Sequence, residues 1–93
     1  MANEADDNTI YIGKKGTMAY DLAVVTQINN GAKEILIKAR GRAISRAVDV
    51  SEIVKNKFVT DLKIAKIGIS TEEIHPEEGN PLKVSAIEIL LKK

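Results

Sequence analysis

Ninety-three residues with 44% apolar side chains, three aromatics, no cysteine and a formal charge of +1 describe one small globular domain. Disulfides and thiolate metal sites are excluded, no apolar run reaches the ~18 residues of a membrane span, and three rings are too few for a recognition surface built on base stacking. The charge is segregated: residues 1–7 and 71–80 hold seven acids and no Lys or Arg, which leaves 14 bases against 6 acids elsewhere and points to a polyanion partner.

Residues 1–8, "MANEADDN", are expected to form a disordered acidic tail, too polar for a secretory signal, and a cytoplasmic protein is expected. "NTIYIG" alternates as a short strand ended by Gly13, and "KKG" follows as a basic turn. Thr17 is placed to cap a helix whose inward set is Met18, Leu22, Val25 and Ile28, with "NNG" at 29–31 as its stop. "KEILIKAR" alternates again, with Ile35, Ile37 and Ala39 on one face and Leu36, Lys38 and Arg40 on the other. Gly41 breaks that strand, and Ala43 to Phe58 takes helical spacing, with Ile44, Ala47, Val50, Val54 and Phe58 along the core stripe.

"DLKIAKIGIS" is a strand whose apolar phase slips by one residue near Ala65 and Lys66, the signature of a bulge. "TEEIHPEEGNPLK" reads as a turn region, within a long hairpin over 70–84, and "VSAIEILLKK" returns as a strand with Ile87, Ile89 and Leu91 inward. The order is β-α-β-α-β-β. It predicts an α+β two-layer sandwich, with both helices on one face of a four-stranded mixed sheet, as a single domain over 9–93. Leu36 and Leu90 then fall on the uncovered face, which favours a second subunit as cover.

No catalytic set is found. His75 lies in a polar turn, Asp49 and Glu52 read as partners of Arg46 and Lys55 on a helix surface, and the acids at 72, 73, 77 and 78 lack calcium-loop spacing, so neither metal nor cofactor is expected. "GKKGT" lacks the spacing of a nucleotide-triphosphate loop. It matches the GxxG of KH domains, but there the loop joins two helices and here a strand precedes it. Two lysines on a Gly-flanked turn before a helix nonetheless suit a phosphate. "KARGRAISR" packs Lys38, Arg40, Arg42 and Arg46 at one strand–helix corner, with no acid in sequence until Asp49. Folding alone gives no reason to accept that repulsion, and a phosphate backbone reverses its sign.

"YIGKK" before a Met-x-Tyr helix, "EILIKARGRAISRAVDVSEIVKNKF", and the terminal "VSAIEILLKK" together resemble the Alba family of archaeal chromatin proteins, from about Thr9 to Lys93. The resemblance implies the fold of the C-terminal domain of translation initiation factor 3 and a homodimer that binds double-stranded DNA, and RNA, mainly through the backbone at the chromosome. By motif it assigns nucleic-acid contacts to Lys14, Lys15, Lys38, Arg40, Arg42, Arg46, Asn56, Lys57 and Lys83, and acetylation to Lys14 or Lys15. Phe58 is assigned to packing of dimers side by side along DNA, against the plainer reading of a core residue.

Three positions depart from the family pattern. Gly16 stands where proline is usual, which predicts a more mobile basic loop; Asp21 sits on a helix that is normally apolar or neutral; and the hairpin tip "EEIHPEEGNP" is acidic, which predicts weaker binding. Two rival readings stand beside this one: an RNA-binding factor in RNA processing or translation, and a scaffold whose basic face docks an acidic protein.

Overall fold

Strict alternation over Glu34–Arg40 sets the central ladder of the molecule, and the computed structural model, which describes residues 8–93, builds outward from it. The strands are β1 (Thr9–Tyr11), β2 (Glu34–Arg40), β3 (Lys63–Ile74) and β4 (Leu82–Lys92), in the sheet order β1-β2-β4-β3. β1 runs parallel to β2, and β4 pairs antiparallel with both β2 and β3. Helices α1 (Thr17–Asn29) and α2 (Ile44–Ile53) cover one face, the arrangement that right-handed crossovers produce. The α+β fold with two helices on a four-stranded mixed sheet is therefore as the sequence predicts.

The core lies between helices and sheet. Ile35, Ile37 and Ala39 pair with Leu91, Ile89 and Ile87, and all six are buried on the helix side, against Val24 and Ile28 of α1 and Ala47 and Val50 of α2. The opposite face carries Leu36 against Leu90, Lys38 against Glu88 and Arg40 against Ala86. Leu36 and Leu90 remain partly buried there. The slip in β3 falls between Ile64 and Lys66, where the sequence phase breaks.

Several expectations are corrected. The tail expected over 1–8 lies outside the described residues except for Asn8, whose carbonyl accepts from the Leu36 amide at 2.8 Å. Thr17 is the first residue of α1 and not its cap; Gly16 holds the cap position, with no side-chain cap bond. The inward face of α1 is Tyr20, Asp21, Val24 and Ile28, whereas Met18 is 61% exposed and Leu22 is 57% exposed. α1 is apolar around most of its circumference, so periodicity alone does not choose its buried side. The turn region expected from Thr71 onward is shorter, because β3 continues to Ile74 and β4 starts at Leu82, with Glu73 opposite Lys83. The second helix is not one α-helix from Ala43 to Phe58. Gly41–Ala43 form a 3₁₀ turn, and Val54–Phe58 form a π-turn closed by the Val59 amide on the Val54 carbonyl at 2.8 Å. That wider turn rotates Phe58 off the stripe that Val54 ends, leaving it 48% exposed.

Asp21 is the anomaly of the core. It is 2% exposed, its Oδ1 has no hydrogen-bond partner among the described residues, and burial pushes its carboxyl up from the usual aspartate range. A folded state that holds this proton more tightly than the unfolded chain gains stability as pH falls through the raised value, and loses it as pH rises. Asp21→Asn is therefore expected to stabilise the protein at neutral pH by about 1–3 kcal/mol in urea melts, an advantage that shrinks as the pH is lowered.

Candidate nucleic-acid interface

The direction of the strands decides what meets what. β1, β2 and β3 all run one way, since β1 is parallel to β2 and both β2 and β3 oppose β4. The chain therefore leaves all three strands at the same end of the sheet. The Gly13–Gly16 loop, the Gly41–Ala43 corner and the β3–β4 hairpin tip all emerge there. Arg40, the last residue of β2 in the ladder, pairs with Ala86, so Leu82–Ser85 and their partners project beyond it by about 13 Å.

The basic loop is fastened from below. The Tyr20 hydroxyl accepts from the Gly13 amide at 2.8 Å and from the Lys15 amide at 3.1 Å. The Arg46 guanidinium donates to the Gly13 carbonyl at 2.6 Å. These three bonds hold Gly13 and Lys15, within the loop for which Gly16 predicts mobility. They also give Arg46 a structural task, spanning from α2 to the loop, and leave it partly buried. Lys14 and Lys15 point outward and are exposed.

The corner owes its shape to Gly41, whose φ of +59° is open to glycine at no steric cost. Arg40 leaves β2 in extended conformation, Gly41 reverses the chain and opens the short 3₁₀ turn, and Arg42 is the exposed middle residue of that turn. Among the described residues Lys14, Lys15 and Arg42 pair with no carboxylate.

Lys38 and Arg40 are different, and here the sequence expectation of unpaired cations is corrected. Lys38 Nζ lies 3.2 Å from Glu88 Oε2, its directly opposed neighbour on β4. Its hydrogen bond to Glu88, reinforced by the carboxylate's charge, raises the ammonium pKa above the usual lysine value, so it stays charged across the neutral range. Arg40 Nη1 lies 3.2 Å from Glu72 Oε1, from a strand 32 residues away. Exposed pairs of this kind contribute little to stability. They do hold both side chains across the open face of the sheet.

The remaining expected residues divide. Lys83 is exposed on the return arm of the hairpin, opposite Glu73, which also meets His75 at 3.2 Å. Asn56 and Lys57 are exposed, but they end a helical run that starts at the corner. Fifteen helical residues, Ile44 to Phe58, carry the chain roughly 22 Å away from it. The chain therefore gathers Lys14, Lys15, Arg42 and the hairpin at one end, and places Asn56, Lys57 and Phe58 at the other. On the helix surface Glu52 meets Lys55 at 3.2 Å as expected, while Arg46 goes to Gly13 and not to Asp49.

Two contributors escaped sequence reasoning. Tyr20 looks like ordinary core until its hydroxyl is seen under the loop. Tyr11 stands opposite Lys38 on the open face, 66% exposed, with the Lys38 ammonium 5.8 Å from its ring centroid. Its strand alternation with Ile10 and Ile12 was the only signal available. Among the described residues no group of three or more His, Cys, Asp or Glu side chains is placed to hold a metal ion, and no helix is long and apolar enough to cross a membrane.

Known proteins resemble this chain in sequence and in fold. The model of the Alba family matches residues 8–71. A protein named DNA/RNA-binding protein Alba from Methanocella arvoryzae is 58% identical over 88 residues, covering 95% of this chain and 92% of that protein. DNA/RNA-binding protein Alba 1 from Archaeoglobus fulgidus is 56% identical over 87 residues, covering 94% and 97%. The solved structure of Alba from Thermoplasma volcanium superposes with a TM-score of 0.88 at 53% identity, over 92% of this chain and 100% of that one.

Proposed function

The chain belongs to the Alba family, and from that premise we propose that it binds double-stranded DNA, and RNA, as a homodimer through contacts that are largely indifferent to sequence. One observation carries the proposal. Lys14, Lys15 and Arg42, each exposed and none paired with a described carboxylate, leave the sheet at the same end, beside a hairpin that overhangs it. A phosphate backbone crossing that end meets point charges, backbone amides of a loop and a guanidinium, the groups that recognise phosphate and not base edges.

In this reading Lys38 and Arg40 exchange their carboxylates for phosphates when polyanion arrives, and Lys83 touches it from the hairpin. Glu72, Glu73, Glu77 and Glu78 lower the affinity by placing negative charge along the same path. Acetylation of Lys14 or Lys15 removes a cation from a fastened loop and weakens binding without unfolding it. Asn56 and Lys57 reach nucleic acid from the far end of the second helical run, and the exposed Phe58 beside them packs neighbouring dimers along the polymer. These roles place the protein at the chromosome, in the cytoplasm.

Arg42→Ala is expected to weaken binding by about tenfold, equally for duplexes of unrelated sequence, in filter-binding titrations. A loss confined to one sequence would contradict backbone recognition. Titrating duplex DNA against structured RNA in competition separates the chromosomal role from one in RNA processing.

A further inference from the structure

The open face of the sheet holds a second kind of site, which adjoins the phosphate-binding end and shares Lys38 and Arg40 with it. Tyr11, Ile12, Lys38, Ala39, Arg40 and Glu72 line a cleft of about 320 Å³. That is within the size of small-molecule sites and leaves room for a single nucleobase. Its composition is unusual for this chain. One of only three aromatic residues stands in it, 66% exposed, on a strand where burial would have been easy had the ring faced the helices as Ile10 and Ile12 do. An aromatic side chain left in water on a sheet surface loses the stabilisation that core burial would give it.

The neighbours of the ring are fixed. Tyr11 stands opposite Lys38, whose ammonium is 5.8 Å from the ring centroid and is held from the far side by Glu88 at 3.2 Å. Arg40 lies two residues further along the same strand face, tethered by Glu72 at 3.2 Å. The Lys38 ammonium lies over one face of the ring, so a base would stack on the other; an exposed ring beside two oriented cations is the combination that binds a nucleotide whose base is not stacked in a duplex, the ring taking the base and the cations the neighbouring phosphates. A duplex cannot use the ring, because its bases are already stacked on one another. Duplex binding engages only the cations.

We propose that Tyr11, Lys38 and Arg40 form a subsite for one unpaired nucleotide, in which the two cations serve duplex and single strand alike and the Tyr11 ring adds affinity for the single strand alone. One ring serves one base, which is consistent with the low aromatic content of the chain. The proposal deepens the nucleic-acid-binding function and rests on it.

The test is fluorescence anisotropy with a short single-stranded RNA and a blunt-ended duplex of equal length, using wild type, Tyr11→Phe, Tyr11→Leu and Tyr11→Ala. Tyr11→Leu and Tyr11→Ala are expected to weaken the single strand by roughly 5- to 100-fold and to leave the duplex within about twofold. Tyr11→Phe keeps wild-type affinity for both, since the ring and not the hydroxyl is used. Unchanged duplex binding also certifies that the variants are folded. The subsite is disproved if Tyr11→Leu binds the single strand as wild type does, if it loses both ligands equally, or if the wild type binds duplex and ignores the single strand. A wild type that binds neither overturns the nucleic-acid reading itself, and the subsite with it.

Discussion

Raising the salt concentration from 50 to 200 mM is expected to weaken binding to duplex DNA by roughly 10³-fold, the low end of the range for proteins that neutralise six to ten phosphates. The structure explains why the low end applies. In the proposed homodimer each chain would offer Lys14, Lys15 and Arg42 without a described carboxylate partner, while Lys38 and Arg40 already sit against Glu88 and Glu72. Replacing an internal carboxylate by a phosphate releases no net counterion, because the freed glutamate recruits a cation of its own. Lys38 and Arg40 therefore add contacts but little to the salt slope. Filter binding across a salt series measures the slope directly. A flat response would show that charge is not the basis of binding. A slope of ten or more would show that the ion pairs dissolve and the glutamates move out of the phosphates' reach.

The second large effect concerns the layer beneath the charges. Ile37→Ala is expected to destabilise the protein by about 2–5 kcal/mol in urea denaturation at fixed protein concentration. Ile37 is fully buried and pairs with Ile10 on one side and Ile89 on the other, so its removal leaves a void where β1, β2 and β4 meet. A domain of this size holds only about 5–15 kcal/mol in total. Leu36→Ala, one residue away on the open face, is expected to cost less than half as much, because Leu36 is only partly buried. Equal losses at the two positions would mean that something covers the open face as tightly as the helices cover the other. The comparison therefore also reports whether a second subunit lies over Leu36 and Leu90.

Local patterns carried most of the fold into the sequence. The alternation of Ile35, Ile37 and Ala39 gave the central strand and its inward face, and the phase break at Lys66 gave the bulge, because in a sheet one residue changes which side a side chain takes. α1 was legible as a helix but not in its rotation. With Met18, Leu22, Val24, Val25 and Ile28 spread around it, the choice fell to tertiary contacts, and Tyr20 won a place inward by hydrogen bonding the basic loop. The π-turn at Val54–Phe58 has no local signature, so Phe58 was assigned to a stripe that the wider turn takes it out of.

The candidate interface was legible as a list of cations and illegible as a circuit. Lys14, Lys15 and Arg42 announce themselves by glycine-flanked basic spacing. The partners that restrain Lys38 and Arg40 do not, since Glu88 and Glu72 arrive from other strands and only the register reveals them. Arg46 likewise read as one more positive charge, and only its bond to the Gly13 carbonyl shows it to be a strut. Tyr11 was discounted by composition, a measure that counts rings without asking where any one of them stands.

The order of the sheet leaves the twelve-residue β3 on its rim. A rim strand of that length, with Ile67 and Ile69 exposed along it, is a template on which another chain's backbone can add. Two features discourage this. The kink between Ile64 and Lys66 interrupts the straight run that such an intruder needs, and Lys63, Lys66, Glu72 and Glu73 set charge along the remainder. If copies of the chain gather on one polymer, as proposed above, such protection matters more, because crowding is the circumstance in which rims meet and fibres begin.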